Sequence, residues 1–310
     1  MKSVMYHYVR PYNSKLPNLK HLDIEDFKLQ LDFFESRFGF VSKEDFYMSL
    51  NSGLPAKGVI LTFDDGFSCH YDFVFKELLK RKLWGIFYIP TGVFTQKKML
   101  DVHRIHILLA KIPSDTLYKS LIKHINEDML PGGLVREYRE DTYQHQKNDD
   151  FTNITKRILN YYIDYAYREN ILDILTDEFI EVEHRDPIDF YMTVEQIKEL
   201  NDKGMLIGSH TVKHPLLSKL TRNEQIQEIK DSFEFLNNVC GGLQHKTFCY
   251  PYGGFHSFTS ETEMILENEN CEFAFNVEHR DVSKLDLSSR RQALPRYDCN
   301  HFPFGKCRIQ

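Results

Sequence analysis

Short apolar runs recur along the chain and are separated by segments with helical periodicity. Residues 4–9, 58–63, 84–90, 205–208 and 247–250 form such runs, and the second is almost continuously apolar. Runs of this length and composition indicate strands that are buried on both faces of a parallel sheet. The chain therefore predicts several parallel strands rather than an antiparallel sandwich.

The segments between these runs begin with residues that favour helix N-termini. Asp23 and Ser42 each precede an amphipathic stretch, and Thr193 has a glutamine three residues later, which is a capping-box pattern. Further helices are predicted near residues 71–82 and 222–239. The alternation of strand and helix predicts an α/β fold, built as a barrel or as a parallel sheet.

One part of the chain interrupts this alternation. Between residues 97 and 188 the apolar residues have helical spacing, and a polar stretch within it shows no period. We interpret residues 97–188 as a mainly helical insertion within a single catalytic domain that spans residues 1–310.

Composition and charge narrow the classes of partner. The net charge of −6 and the pI near 6.2 give no support for a nucleic-acid partner. The six cysteines contain no Cys-x-x-Cys pair and are predicted to be reduced, mostly buried thiols. No stretch approaches the roughly 18 apolar residues of a membrane span. Residues 1–7 lead directly into a strand, so if the native chain starts here the pattern predicts a cytoplasmic protein.

Candidate chemistry lies directly after two of the predicted strands. Asp64 and Asp65 follow the second strand, whereas His210 and His214 follow the strand at 205–208. One Asp and two His leave coordination positions open, as a catalytic metal requires. Neighbouring side chains of an extended chain diverge, so one of the two carboxylates is expected to remain free as a base. The pattern predicts metal-assisted hydrolysis.

Three segments together resemble the motifs of a known family. Residues 62–66 read Thr-Phe-Asp-Asp-Gly, residues 208–215 read Gly-Ser-His-Thr-Val-Lys-His-Pro, and residues 250–253 read Tyr-Pro-Tyr-Gly. In this order they resemble the polysaccharide deacetylases, the NodB-homology domains of carbohydrate esterase family four. The resemblance implies a distorted (β/α) barrel that removes N- or O-acetyl groups from sugars with one divalent metal ion, usually zinc.

The resemblance also implies roles for individual residues. Asp65, His210 and His214 would be the metal ligands, and Asp64 would be the general base that takes a proton from the activated water. The backbone N–H of Tyr252 would add to the stabilisation of the oxyanion.

The chain departs from the family pattern at the third motif. The arginine that usually begins this motif and holds the base aspartate is replaced by Cys249. Arg296 is our candidate for a substitute near Asp64, and a surface position for Arg296 is the alternative.

The general acid is a second departure, because the late motif that supplies a histidine is not clearly present. His256, His279 and His301 are candidates, and none has a distinctive sequence context. His7 follows the first strand and would either line the pocket or lie buried in the barrel.

The predicted function is a metal-dependent hydrolase that removes an acyl group from a carbohydrate or a sugar-containing glycan precursor. The acyl group that we favour is N-acetyl. The missing export signal favours a nucleotide-linked or lipid-linked sugar over finished polymer. One alternative is a deformylase or amidase acting on a non-polysaccharide amide. Another is a non-catalytic carbohydrate-binding relative, suggested by the missing arginine and acid histidine.

Overall fold

A computed structural model of the chain describes residues 1–131, 142–143, 148–180 and 190–307. The described residues form two compact units. The first, here called the barrel unit, comprises Met1–Pro11, His21–Lys98 and Pro187–Gln310, and the second, the helical unit, comprises Tyr12–Lys20 and Met99–Asp186. Position 188, where the predicted insertion ends, lies outside the described residues.

The barrel unit contains a sheet of seven strands, and every pairing between neighbours is parallel. The strands are β1 (Lys2–Tyr6), β2 (Val59–Phe63), β3 (Ile86–Ile89), β4 (Leu206–Ser209), β5 (Thr247–Cys249), β6 (Phe273–Phe275) and β7 (Tyr297–Asp298). Their order across the sheet is β6-β5-β4-β3-β2-β1-β7. The five strands predicted from apolar runs are all present, and the α/β class is confirmed.

Helices of the barrel unit lie between successive strands, as parallel connections require. They are α1 (Ile24–Arg37), α2 (Lys43–Ser52), α3 (Lys76–Arg81), α4 (Gly92–Gln96), α9 (Val194–Asp202), α10 (Arg222–Cys240), α11 (Ser260–Asn268) and α12 (Lys284–Ser289). The predicted caps are confirmed: the side chains of Asp23, Ser42 and Thr193 each accept a hydrogen bond from a first-turn amide. The helix predicted at 71–82 is instead a π-helical segment, His70–Phe75, followed by α3.

The segment before β7 connects the two edges of the sheet. Leu294 N–H donates to the Ala274 carbonyl at 2.8 Å, and Asn276 N–H donates to the Leu294 carbonyl at 2.9 Å. The His279 amide donates to the carbonyl of Arg296 at 3.0 Å. Because β7 itself pairs with β1, residues 294–298 bridge β6 to β1 and curl the sheet into a barrel-like form.

Alternation along the strands separates two apolar layers. Leu61 and Phe63 of β2 face outward and pack with α1 residues such as Phe27. Ile60 has the opposite orientation and belongs to an inner cluster that contains Tyr88 and Phe275. Residues of β2 with the same parity as Ile60 therefore point into the barrel, and the next such position after Thr62 is residue 64.

The helical unit contains four α-helices among its described residues. They are α5 (Asp101–Lys111), α6 (Ser114–His124), α7 (Asp150–Arg157) and α8 (Tyr165–Phe179), with shorter helical turns at Glu127–Met129 and Ile158–Tyr162. Two buried arginines join α5 to α8: Arg104 lies 2.6 Å from Asp173, and Arg168 lies 3.0 Å from Asp101. These helices fall within residues 97–188, and the interpretation of that range as an insertion within one catalytic domain stays a prediction.

Two composition-based expectations can be compared with the described residues. None of the helices in the described part of the chain combines the length and the apolarity needed to cross a membrane. Four of the six cysteines, Cys69, Cys240, Cys249 and Cys271, are buried thiols.

Candidate metal centre

The two aspartates after β2 differ in backbone conformation. Asp64 continues the strand, and its amide donates to the Tyr6 carbonyl at 2.9 Å. Asp65 has a φ of 79°, in the left-handed region that Asp tolerates better than most residues. Gly66 follows with a φ of 63°. This turn directs the two carboxylates toward different neighbours, as the divergence of adjacent side chains predicts.

Asp65 lies next to both predicted histidines. The Nε2 atoms of His210 and His214 are each 3.5 Å from Asp65 Oδ1. The two rings meet edge to face with centroids 4.7 Å apart, and all three residues are buried. The structure thus brings together three side chains from two distant parts of the sequence.

These distances fit one shared cation. Two ligands of a tetrahedral ion lie about 3.3 Å apart when each bond is about 2.0 Å long. The described residues contain a second possible group, Asp64, His210 and Cys249. That group is the poorer fit, because both oxygens of Asp64 and the Nδ1 atom of His210 are already engaged elsewhere.

The hydrogen bond of His210 prepares its ring for a metal. Nδ1 lies 2.7 Å from the carbonyl oxygen of Cys249, which can only accept, so Nδ1 carries the proton. Nε2 then presents its lone pair toward Asp65. Burial lowers the pKa of His210 and outweighs the opposing charges of Asp64 and Asp65, which favours the neutral imidazole that binds metals.

Arg296 lies on Asp64 rather than on the surface. Its Nη1 and Nη2 atoms donate to Oδ1 and Oδ2 of Asp64, each at 2.8 Å, and Nη1 also reaches Thr62 Oγ1 at 2.9 Å. Burial raises the pKa of Asp64, but the Arg296 charge and hydrogen bonds outweigh it and hold that pKa at about 2. Smaller lowering contributions come from His210 and His7. Asp64 is therefore ionised and fixed in orientation.

Cys249 completes the buried surroundings of this ion pair. Its Sγ atom lies 2.8 Å from Arg296 Nη2 and 3.5 Å from Asp64 Oδ2. Burial is the largest of the causes that raise the pKa of the thiol well above its ordinary value, so Cys249 is neutral. Cys249, at the position where the resemblance implies an arginine, thus contacts the arginine that reaches Asp64 from elsewhere in the chain.

The third motif lies beside the histidines. Tyr252 is half-buried, has a φ of 64°, and its ring is 5.0 Å from that of His214. Gly253 has a φ of 74°, and a Cβ there would meet a methyl group of Val277 at 2.4 Å. The close approach of Val277 explains why this turn requires glycine.

The three candidate acids and His7 occupy different surroundings. His7 follows β1 directly and is exposed, so the alternative of a histidine buried in the barrel is wrong, and its charge contributes to the surroundings of Asp64. The rings of His279 and His301 stack with centroids 4.0 Å apart. His256 lies in a short helical turn, and its carbonyl accepts from Ser218.

Two residues near the site were not predicted. Thr62 accepts a hydrogen bond from Arg296, and its position two residues before Asp64 on the same face of β2 was the available signal. Glu228 of α10 accepts from the backbone between the two histidines. Nothing in the helical periodicity distinguishes Glu228 from the other acidic residues of that helix.

Comparison with known proteins finds a family model that matches about a third of this chain. Residues 166–268 match the family described as polysaccharide deacetylase. The predicted resemblance to the polysaccharide deacetylases is confirmed. A comparison with curated proteins gave no significant match.

Solved deacetylase structures have the same fold. The Streptococcus pyogenes deacetylase PplD, in complex with acetate, aligns with a TM-score of 0.58 and 17% identity over 96% of this chain and 91% of that one. IcaB from Ammonifex degensii aligns with a TM-score of 0.55 and 18% identity over 96% and 90%. A de-N-acetylase from Aggregatibacter actinomycetemcomitans gives 0.52 and 13% over 96% and 93%. The predicted distorted (β/α) barrel is confirmed.

Proposed function

We propose that the protein is a metal-dependent hydrolase that removes an N-acetyl group from a carbohydrate or a glycan precursor. The family match supports carbohydrate deacetylation as the reaction class. The observation that carries the proposal is the convergence of Asp65, His210 and His214 next to an Asp64 that is held separately by Arg296. The three converging side chains suit a cation, and the separately held Asp64 suits a general base.

Asp65, His210 and His214 would hold the ion, and their nitrogen and oxygen donors suit zinc. When bound, a divalent ion lowers the pKa of a water molecule to about 7 and polarises the acyl carbonyl. Asp64 accepts the proton of the attacking water. Arg296 occupies one lone pair on each Asp64 oxygen, so further lone pairs remain for that proton. The amide of Tyr252 would donate to the oxyanion as it forms.

The leaving amine needs a proton when the acyl C–N bond breaks. We assign this role to His7, because it is exposed and directly follows Tyr6, whose register partner Phe63 directly precedes Asp64. The proton that Asp64 takes from water balances the one that His7 gives to nitrogen, and the products are acetate and a free amine.

The Arg296 pair also bears on the non-catalytic alternative. That alternative was motivated by the missing arginine of the third motif and by the missing acid histidine. Since a guanidinium from the segment before β7 contacts Asp64, the first of these two motives no longer applies. Hydrolysis of an N-formyl group or of a non-sugar amide would use the same residues. Only assays on different substrates separate these reactions from the deacetylation of an N-acetyl sugar.

The test combines substrates, metal content and two variants. Purified protein loaded with Zn²⁺, Co²⁺ or Ni²⁺ is given N-acetylhexosamine oligomers, a nucleotide-linked N-acetylhexosamine and N-formyl analogues, and released acetate and formate are measured. Asp64→Asn should lose turnover by about 10²- to 10⁴-fold and retain metal. His210→Ala should lose metal. An Asp64→Asn variant with normal turnover would refute the role of Asp64.

A control for these variants is His245→Ala. His245 belongs to the same unit, stacks on Tyr47 at 4.0 Å and pairs with Glu272, away from the candidate ligands. This variant should keep both metal and turnover. A cytoplasmic location and a nucleotide- or lipid-linked substrate remain predictions.

A further inference from the structure

The loop that carries the two histidines has an unusual backbone arrangement. Three successive amides in it are satisfied by side chains. Val212 N–H and Lys213 N–H both donate to Oε2 of Glu228, each at 2.8 Å. His214 N–H donates to Thr211 Oγ1 at 2.9 Å. Successive amides that converge on one oxygen form a concave anion-binding turn, and here a carboxylate of the protein itself fills it.

The backbone of this loop is also costly to form. Thr211 and His214 have φ values of 67° and 57°, in the left-handed region that β-branched and bulky side chains rarely adopt. Such residues persist only where the surrounding structure over-determines them. The hydrogen bonds of Glu228 lie between these two residues and are positioned to hold the turn.

A second contact from the same helix, α10, also holds the histidine loop. Ser232 lies four residues after Glu228 on α10, hence on the same face. Its Oγ atom contacts Ser209 Oγ, which accepts from the Thr211 amide at 3.2 Å. The helix is well anchored: Thr221 and Glu224 form a capping box, and its C-terminus ends in a left-handed glycine.

The other side of the loop is fixed by backbone alone. Thr91 N–H donates to the Thr211 carbonyl at 3.1 Å, and Gly92 N–H donates to the Val212 carbonyl at 2.8 Å. The peptide groups on either side of Val212 are therefore engaged on both sides. On the side of α10 the loop is held by side chains. Substitutions there can therefore remove its contacts without changing the backbone.

We propose that Glu228 is a positioning residue that sets the geometry of His210 and His214 for a cation. The proposal rests on the proposed function, because it concerns the same metal centre. Glu228 acts through the amides of Val212 and Lys213, and it is neither a ligand nor a base. Supporting groups of this kind change metal affinity by about 10- to 100-fold when they are removed.

A pair of substitutions separates the hydrogen-bond acceptor from the charge. Glu228→Ala removes the acceptor, whereas Glu228→Gln retains one amide oxygen, which is sufficient because a single oxygen accepts both bonds. Glu234→Ala is the matched control, an exposed glutamate on the same helix. Ser232→Ala is a milder variant for the case in which Glu228→Ala fails to fold.

The readout is the binding of Co²⁺, followed by its visible absorption and by competition with a chelator. Glu228→Ala should weaken binding by about 10- to 100-fold and change the shape of the absorption band. Glu228→Gln should stay within about threefold of wild type by the same reasoning. Ser232→Ala should weaken binding in the same direction, and Glu234→Ala should have no effect.

The outcomes distinguish the two proposals. If wild-type protein binds Co²⁺ and Glu228→Ala or, where that fails to fold, Ser232→Ala binds it equally well, the positioning role is overturned and the proposed function stands. Equal losses in the Gln and Ala variants would also overturn it, since the acceptor would not be the deciding feature. If wild-type protein binds no divalent ion, the proposed function fails and the positioning role fails with it.

Discussion

Arg296 holds Asp64 through two parallel hydrogen bonds of 2.8 Å, although the two residues are 232 positions apart in sequence. The central carbon of the guanidinium is 5.7 Å from the ring centroids of both Tyr88 and Phe275. Both charges are almost completely buried, at 1% and 2% exposure. A buried ion pair of this geometry is costly to break, because the remaining charge has no compensation.

Replacing Arg296 with glutamine should destabilise the protein in a pH-dependent way. With Arg296, the folded pKa of Asp64 is about 2, below its ordinary 3.8, so the pair stabilises the fold above pH 3.8 and loses this effect as the pH falls toward 2. Without Arg296, burial alone raises that pKa and penalises the ionised form. At pH 7 the free energy of unfolding of the variant should be about 3–5 kcal/mol lower than that of wild type. Near pH 3 this difference should be smaller by about 2 kcal/mol.

Urea unfolding at pH 3, 5 and 7 measures this difference. Arg222→Gln is the control, since it removes an exposed arginine that pairs with Glu261 on the surface. Its effect should stay below about 1 kcal/mol at every pH. If the difference in unfolding free energy between wild type and Arg296→Gln does not change with pH, the pairing with Arg296 is not what lowers the pKa of Asp64.

Cys249 should tolerate a small polar substitute but not the arginine that is typical of the family. Cys249→Ser keeps an acceptor for Arg296 Nη2 and should change stability by about 1 kcal/mol or less. Cys249→Arg places a second buried cation beside Arg296, whose partner Asp64 is already engaged on both oxygens, and should cost about 3–5 kcal/mol. Thermal unfolding of both variants tests this, and an arginine variant as stable as wild type would show that the pocket accepts two guanidinium groups.

The strand ends and the histidine loop were predictable because each follows an apolar run of recognisable length. His210 and Asp65 come directly after such runs, and parallel strands bring their carboxyl ends to one edge. Arg296 could be suggested only as a candidate. Its position depends on the irregular segment 294–296, whose hydrogen bonds to residues 274–279 close the gap between β6 and β1.

Other features had no signal in the sequence at all. The π-helical turn at His70–Phe75 replaces part of a predicted α-helix, and apolar spacing does not distinguish the two at this length. Glu228 was equally hidden, because a polar residue on an amphipathic helix is normally interpreted as solvent-exposed. Its role emerges only when the two backbone amides opposite it are located. Side-chain-to-backbone contacts between distant segments are set by tertiary packing, which periodicity cannot report.

Gly92→Ala should displace the histidine loop from the backbone side. A Cβ at residue 92 would lie 2.7 Å from the Val212 carbonyl oxygen, so either the loop or the start of α4 must move. Overpacking of this kind costs about 1–3 kcal/mol. Because the loop carries both candidate ligands, we expect weaker Zn²⁺ binding in chelator competition as well as a lower melting temperature.

Gly204→Ala is the control for Gly92→Ala. Residue 204 has a φ of 88° and open space around it, so alanine there adds backbone strain without touching the loop. It should lower the melting temperature and leave Zn²⁺ affinity unchanged. If both variants lost affinity in proportion to their stability, the effect of Gly92 would be global rather than local.

His7→Ala should affect substrates according to their leaving group. An amine must be protonated as it departs, whereas a nitrophenolate leaves readily without a proton. We therefore expect kcat/KM for an N-acetyl sugar to fall about 10²- to 10⁴-fold and that for 4-nitrophenyl acetate to change little. His301→Ala, an exposed histidine near the C-terminus, should affect neither substrate. Equal losses on the amide and the ester would show that His7 shapes the site without donating a proton, and the acid would have to be sought at His256 or His279.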